Sequence, residues 1–284
     1  MLRIPRVYLK TAAIAGCFGL PMVFIAETVS ATTLVPHRAV YDMSLLEAKD
    51  GSGISSLSGL MVYEFTGSAC EGYSVSFRFV TEFQDTAGGA RVTDLRASSF
   101  EDPKAMSFQF LSKTFINQKL VENTRGKAQR NSDASKVELE EPETRELSIA
   151  RETMFPTEHL HKIIESAQAG NNFVTADVFD GSETGDKVYA TTAVIGAVRT
   201  EAVPTTDEPG APASSVKNTD VWPVSIAYFD SSEEGSGEQT PVYQLGFLLY
   251  ENGISRKITM DYGDFALSGK LRQLEIHADP GCTN

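Results

Sequence analysis

The sequence predicts a mainly β protein: a single antiparallel sheet that curls, with one main α-helix. Three observations carry this. Apolar and polar residues alternate along most of the chain, the period of a half-buried strand. Turn signals built on glycine separate the alternating runs. One segment near mid-chain switches to the helical period.

The alternation is clearest where Tyr73, Val75, Phe77 and Phe79 share one face and Ser74, Ser76 and Arg78 the other. Similar runs occupy residues 40–46, 57–65, 224–229, 242–250, 254–262 and 265–276. In the last, Leu267 and Leu271 share one parity and Leu274 and Ile276 the other, which predicts a β-bulge near Arg272-Gln273. Asp50-Gly51, Gly88-Gly89, Asp180-Gly181 and Asn252-Gly253 supply turns, the last a strong hairpin signal. Strands this numerous in hairpin order imply a sheet that curls.

Leu160, Ile163, Ile164 and Ala167 fall on one face of a helix over residues 157–169, with Pro156 before it and Gly170 after it. Residues 202–220, with Pro204, Pro209 and Pro212, lack apolar periodicity and read as a flexible loop. Residues 126–151 are rich in charge and read as an exposed edge hairpin with one short strand at 137–139.

The N-terminus reads as a cleaved signal peptide over residues 1–31. Arg3, Arg6 and Lys10 precede an uncharged, mostly apolar run from Thr11 to Ile25, and Val29-Ser30-Ala31 makes a small-residue cleavage site. The alternatives are an uncleaved anchor, for which the run is short and broken by Pro21, and lipidation at Cys17 in Ile14-Ala15-Gly16-Cys17. The apolar run continues past Cys17, against lipidation. Cleavage leaves one domain, residues 32–284, in the periplasm, with 22 Lys+Arg against 37 Asp+Glu and a net charge of −15. That balance argues against nucleic-acid binding. It also leaves Cys70 and Cys282, which in an oxidising compartment read as one disulfide, the alternative being two free buried thiols.

The motifs His37-Arg38-Ala39-Val40-Tyr41-Asp42, Gly67-Ser68-Ala69-Cys70-Glu71-Gly72-Tyr73 and Arg78-Phe79-Val80-Thr81 are informative in their order and spacing. So are Phe155-Pro156-Thr157-Glu158-His159, Asp180-Gly181-Ser182, Lys187-Val188-Tyr189, Asn252-Gly253-Ile254 and Asp261-Tyr262-Gly263-Asp264-Phe265. Together they resemble the EipB family of alphaproteobacterial periplasmic cell-envelope-integrity proteins, over nearly the whole mature chain. The resemblance implies a β-spiral or half-barrel similar to lipoprotein-carrier folds, a disulfide between Cys70 and Cys282, and a role in resisting envelope stress. It implies an envelope protein partner of the periplasmic tetratricopeptide-repeat class, and no catalytic residues.

The residues themselves carry no catalytic constellation. No G-x-S-x-G occurs, and Ser214-Ser215-Val216-Lys217 lies in the Pro-rich loop instead of opening a helix. His159 and His161 stand two apart on a helix and diverge; His37 and His277 are isolated in sequence. Asp177, Asp180, Glu183 and Asp186 miss the calcium-loop spacing. No metal, cofactor or catalytic site is therefore expected. The expected function is non-enzymatic maintenance of envelope integrity by binding envelope partners. The alternative is a carrier of lipid or lipoprotein acyl chains on a concave apolar sheet face.

Overall fold

The computed structural model describes residues 33–199, 208, 210, 219–232 and 239–282. β1 (His37–Ala48), β2 (Ile54–Ser68), β3 (Gly72–Asp85) and β4 (Ala90–Glu101) follow one another as antiparallel hairpins. β5 (Ser107–Ile116), β6 (Lys119–Arg130), β7 (Ala134–Glu141) and β8 (Arg145–Ala150) continue that meander. After the helix α1 (Pro156–Gln168) comes a second meander of β9 (Phe173–Val178), β10 (Tyr189–Ile195) and β11 (Val221–Asp230). It ends with β12 (Tyr243–Tyr250), β13 (Ser255–Asp261) and β14 (Phe265–Ile276).

β1 pairs with β14, so the two meanders merge into one antiparallel sheet of 14 strands. β8 and β9 form its edges and do not pair, so the sheet is a curled, unclosed one. The expected fold class is the observed one. Residues 32–284 form one compact unit. The signal-peptide reading falls on residues outside the described set.

The curl has visible causes. Along the β1–β14 seam the register skips a residue between Val40 and Tyr41, opposite Gln273 and Leu271, leaving Arg272 as the extra residue of a bulge. A second irregularity between Leu45 and Glu47 bends the same seam. The far limb, β5 to β7, folds over the chain leaving β9. There Phe179 packs against Phe108 and Phe110, at 6.3 and 5.5 Å between ring centroids. Gly181 (φ +69°) lies so close to the Phe110 ring that a Cβ would sit 2.3 Å from it.

Residues 126–151 hold more structure than the single short strand expected there. Part of β6 and all of β7 and β8 occupy them. Charged side chains cover the outer face in cross-strand pairs, Lys127–Glu138 at 2.8 Å and Lys136–Glu146 at 2.7 Å. The inner face carries Ala128, Val137 and Leu139, packed under Phe108.

Most of residues 202–220 lie outside the described set, but Glu208, Gly210, Thr219 and Asp220 do not. β13 and β14 pair only through Ile258–Asp261 and Ala266–Gly269. Beyond that point the Glu208 carboxylate stands in for the missing ladder. It accepts the backbone N–H of Lys257 (3.2 Å) and of Leu271 (2.8 Å), and Nε–H of Arg256 (2.8 Å). Arg256 also donates to the Tyr250 hydroxyl at 2.8 Å. Both charges are fully buried, where an ion pair holds only because each partner is fully hydrogen-bonded.

A disulfide joins Cys70, in the β2–β3 turn, to Cys282 beyond β14, with 5.5 Å between Cα atoms. It fastens the chain's end beside the seam. Its loop spans 212 positions, for which the chain-entropy argument gives a stabilisation of about 5 kcal/mol as a ceiling. Cys282→Ser should therefore lower the thermal midpoint by several degrees without altering the far-ultraviolet circular dichroism. Equal midpoints for the variant and the oxidised wild type would overturn this.

Candidate functional site

A cavity of about 300 Å3 lies between the concave face of the sheet and α1. Its walls come from both meanders. Tyr41, Met61, Tyr63 and Phe77 belong to β1–β3; Tyr228, Leu245, Phe247, Ile258 and Met260 belong to β11–β13. Leu160 and Ile163 of α1 form the remaining wall. The strand alternation delivers these side chains, since residues two apart share a face and cross-strand partners share it too. Leu245 and Met260 are such partners.

The helix supplies only part of its own N-terminal cap: Glu158 accepts the Phe155 N–H at 3.3 Å. Phe155 occupies the N-cap and offers no acceptor. Glu101 at the end of β4 supplies one, accepting the N–H of Thr157 at 2.8 Å and of Glu158 at 2.9 Å. Glu158 in turn accepts from Arg130 at 2.8 Å, and the Arg130 guanidinium lies 4.8 Å from the Phe155 ring centre. At the other end Gly170 (φ +76°) closes the helix. Ile163, Ile164 and Ala167 pack on the sheet with Trp222, Val224 and Leu249.

Few polar atoms face the cavity, and each is tied down or neutral. His37 Nδ1 donates to the Val35 carbonyl at 2.7 Å, leaving Nε2 as an acceptor. Burial lowers the His37 pKa. Burial also lowers His159, to about 4. Its Nε2 lies 3.3 Å from the Thr191 hydroxyl, which spends its own proton on the Ala176 carbonyl, so the imidazole is the donor. The Tyr41 hydroxyl donates to the Ser255 carbonyl at 2.8 Å. Burial raises the Tyr63 and Tyr228 pKa values, so both phenols stay protonated.

The histidines that sequence treats separately are partly gathered. His277 donates its backbone N–H to Pro36 and is close enough to His37 to lower its pKa further. His277 Nε2 lies 3.3 Å from Glu64, within ion-pair reach but off the line of a hydrogen bond. His159 and His161 diverge: His161 turns to the Tyr73 ring at 5.9 Å. The acidic cluster is dispersed among other partners. Asp180 accepts the Ser182 N–H, Glu183 takes Lys187 and the Tyr189 hydroxyl, and Asp186 pairs with Arg145. Among the described residues no group of three or more His, Cys, Asp or Glu is placed to hold a metal ion. The Ser214-to-Lys217 motif lies outside the described residues.

A family model described as EipB-like matches residues 28–278. The chain belongs to the EipB-like family. It is 45% identical over 252 residues to the cell envelope integrity protein EipB of Brucella abortus (strain 2308), covering 89% of this chain and 88% of that protein. It is also similar to a crystal structure from Brucella abortus of a beta-barrel-like protein of a domain of unknown function. There the TM-score is 0.80 and the identity 44%, over 87% of this chain and all of the other. The family resemblance drawn from the motifs is thereby established.

Sequence alone misses Glu101, Tyr63, Ser255 and Met260 as parts of this site. The alternation places Tyr63 and Met260 on the buried parity of their strands, but nothing local says that this parity faces a space.

Glu101 gives a pH signature. Burial pushes its carboxyl up to about 7, against the pull of the two helix N–H groups. The unfolded chain would lose that proton near pH 4.3. Between those values the folded state binds the extra proton, so this contribution to stability falls as pH rises from about 4 to 7. Glu101→Gln, which keeps an acceptor and no charge, should flatten that fall, as read by urea midpoints from pH 4 to 8. Glu101→Ala should lower stability by about 1–2 kcal/mol near pH 4 and by less as pH rises, because it too removes the titrating group. A Gln variant with an unchanged pH dependence would refute the assignment.

Proposed function

We propose that this chain is a non-enzymatic periplasmic protein that maintains cell-envelope integrity. On this reading it holds an apolar chain of an envelope lipid or lipoprotein against its concave face. The observation that carries the reading is the cavity under α1. The helix covers the concave face without filling it, and the wall is mostly apolar with a few fixed polar groups, the pattern of a ligand pocket. The envelope role draws support from the Brucella relative, a cell envelope integrity protein. The periplasmic placement draws support from the signal-peptide pattern of residues 1–31 and from the disulfide.

The non-enzymatic part of the proposal rests on the polar groups of the cavity. His37 and His159 have depressed pKa values and hydrogen bonds that fix their tautomers, which suits a structural role better than proton exchange near neutral pH. A second reading, with a protein partner such as a periplasmic tetratricopeptide-repeat protein on the outer surface, has its own support. Phe173 and Val194 are cross-strand partners at the β9 edge and are 58% and 52% exposed.

Two outcomes are expected. Native mass spectrometry of protein purified from its own periplasm should show a co-purifying lipid or acylated species. Leu245→Trp, which fills the cavity, should abolish that species and the detergent resistance of a complemented deletion strain, at wild-type protein abundance. Full resistance with the cavity filled would sink the carrier reading and favour the edge. Separately, His37→Gln and His159→Gln should retain resistance near wild type. A stable, abundant but inactive glutamine variant would overturn the non-enzymatic reading.

A further inference from the structure

The concave face carries a second cavity, of about 420 Å3, further along β2 and β3 and reaching β4, β5 and β14. Phe79, Leu95, Leu267 and Phe265 form its apolar wall, with Arg91 and Asp264 at its rim. The two cavities adjoin. Phe77 lines the first and Phe79 the second, two residues apart on β3 with their rings 6.4 Å apart. Met260 lines the first, and its cross-strand partner Leu267 lines the second.

A row of rings runs from one cavity to the other. Tyr228 stacks on Tyr243 at 4.3 Å, Tyr243 meets Tyr262 at 6.3 Å, and Tyr262 stacks on Phe265 at 5.0 Å. Tyr228 borders the first space; Tyr262 and Phe265 border the second. Across from that row two concave positions of β4 and β5 are small, the cross-strand partners Ala97 and Ser112. Neither is fully buried, so the sheet leaves this face unfilled.

Arg91 stands at the open end. Its guanidinium lies 5.1 Å from the Phe83 ring centre, and no carboxylate of the described residues is within ion-pair distance of it. Asp264, the acidic group on the same rim, is not its partner. In a chain of net charge −13 a cation at an apolar mouth is a selective feature, because it offers an anion an attractive approach there.

We propose that the two cavities form one channel for a single-chain amphiphile with an anionic head, its tail under α1 and its head at Arg91. The inference rests on the reading that the concave face holds an apolar chain, and it adds the charge, the orientation and the length of the ligand. Phe77 and Phe83 are six residues apart on β3, about 20 Å at the rise of a strand. One membrane acyl chain reaches about 15 Å, half the hydrocarbon thickness of a bilayer. A carboxylate and a phosphate head share the chemistry that Arg91 recognises, a charge-assisted hydrogen bond.

The test is calorimetric titration of the disulfide-bonded mature protein with palmitate, hexadecyl phosphate, hexadecanol and inorganic phosphate. Palmitate and hexadecyl phosphate should bind, hexadecanol more weakly, and inorganic phosphate not measurably. Arg91→Ala should weaken both anionic amphiphiles about tenfold and leave hexadecanol unchanged. Arg91→Lys should restore part of the loss. Leu95→Trp, in the second cavity, should weaken all three amphiphiles. If Arg91→Ala affects palmitate and hexadecanol alike, or neither, the head-group assignment is overturned while the apolar reading stands. If inorganic phosphate binds as well as hexadecyl phosphate, the site is one for a free anion and the channel is refuted. If the wild type binds none of the amphiphiles, the apolar reading itself fails.

Discussion

The pairing of β1 with β14 is the constraint on which the rest depends. Every other neighbouring pair in the sheet joins strands consecutive in the chain. Those hairpins can form locally; the seam brings together residues more than 200 positions apart, as in Ser44 and Ser268, whose hydroxyls meet at 3.0 Å. Without it there are two meanders, each with half a cavity. Tyr41, Met61 and Phe77 would face nothing, and so would Phe247, Ile258 and Met260. Loop-closure entropy makes such a contact slow to form and dependent on reinforcement. The reinforcements sit beside it: the Cys70–Cys282 bond, the Tyr41 hydrogen bond to Ser255, and the Glu208 carboxylate bridging β13 to β14.

The helix follows from the same constraint. A curled open sheet leaves two edges and a concave face, and α1 runs between the edges while it covers part of the face. Its apolar stripe explains the packing, but its position comes from charge. Glu101 holds the helix N-terminus to β4, and Arg130 holds Glu158 to β6. Both anchors lie on the first meander, whereas the stripe packs on the second. The helix is therefore a second tie between the two halves, made of polar contacts on one side and apolar ones on the other.

Much of this was legible in the sequence. The parity switch between Leu271 and Leu274 announces the bulge that the seam contains, because an inserted residue must shift the alternation. Asn252-Gly253 announces the β12–β13 hairpin, and Leu160, Ile163, Ile164 and Ala167 announce the helix face. The strands of residues 126–151 were hidden for a physical reason. Their inward positions on β6 are Thr124, Gly126, Ala128 and Arg130, small or charged residues that hydropathy reads as loop. Gly126 must be small because Phe110 lies over it: a Cβ there would come within 2.8 Å of that ring. Glu208 was hidden differently, since its partners lie 48 to 63 residues away and nothing near it in the chain marks it as buried.

The cavity lies at the limit of what alternation can say. Parity tells which residues share a face; it does not tell whether the opposing layer reaches them. Filling about 300 Å3 with larger side chains would bury more apolar surface and stabilise the fold. The tyrosines sharpen the point. The Tyr63 and Tyr228 hydroxyls make no hydrogen bond to a described residue and are not among the buried unpaired atoms, so they stay open to the space, whereas the Tyr41 hydroxyl, on the same wall, donates to Ser255. Leucine or phenylalanine at those two positions would pack as well without bringing a hydroxyl to the wall. A wall that keeps both the space and two hydroxyls open to it is better suited to a guest than to a core.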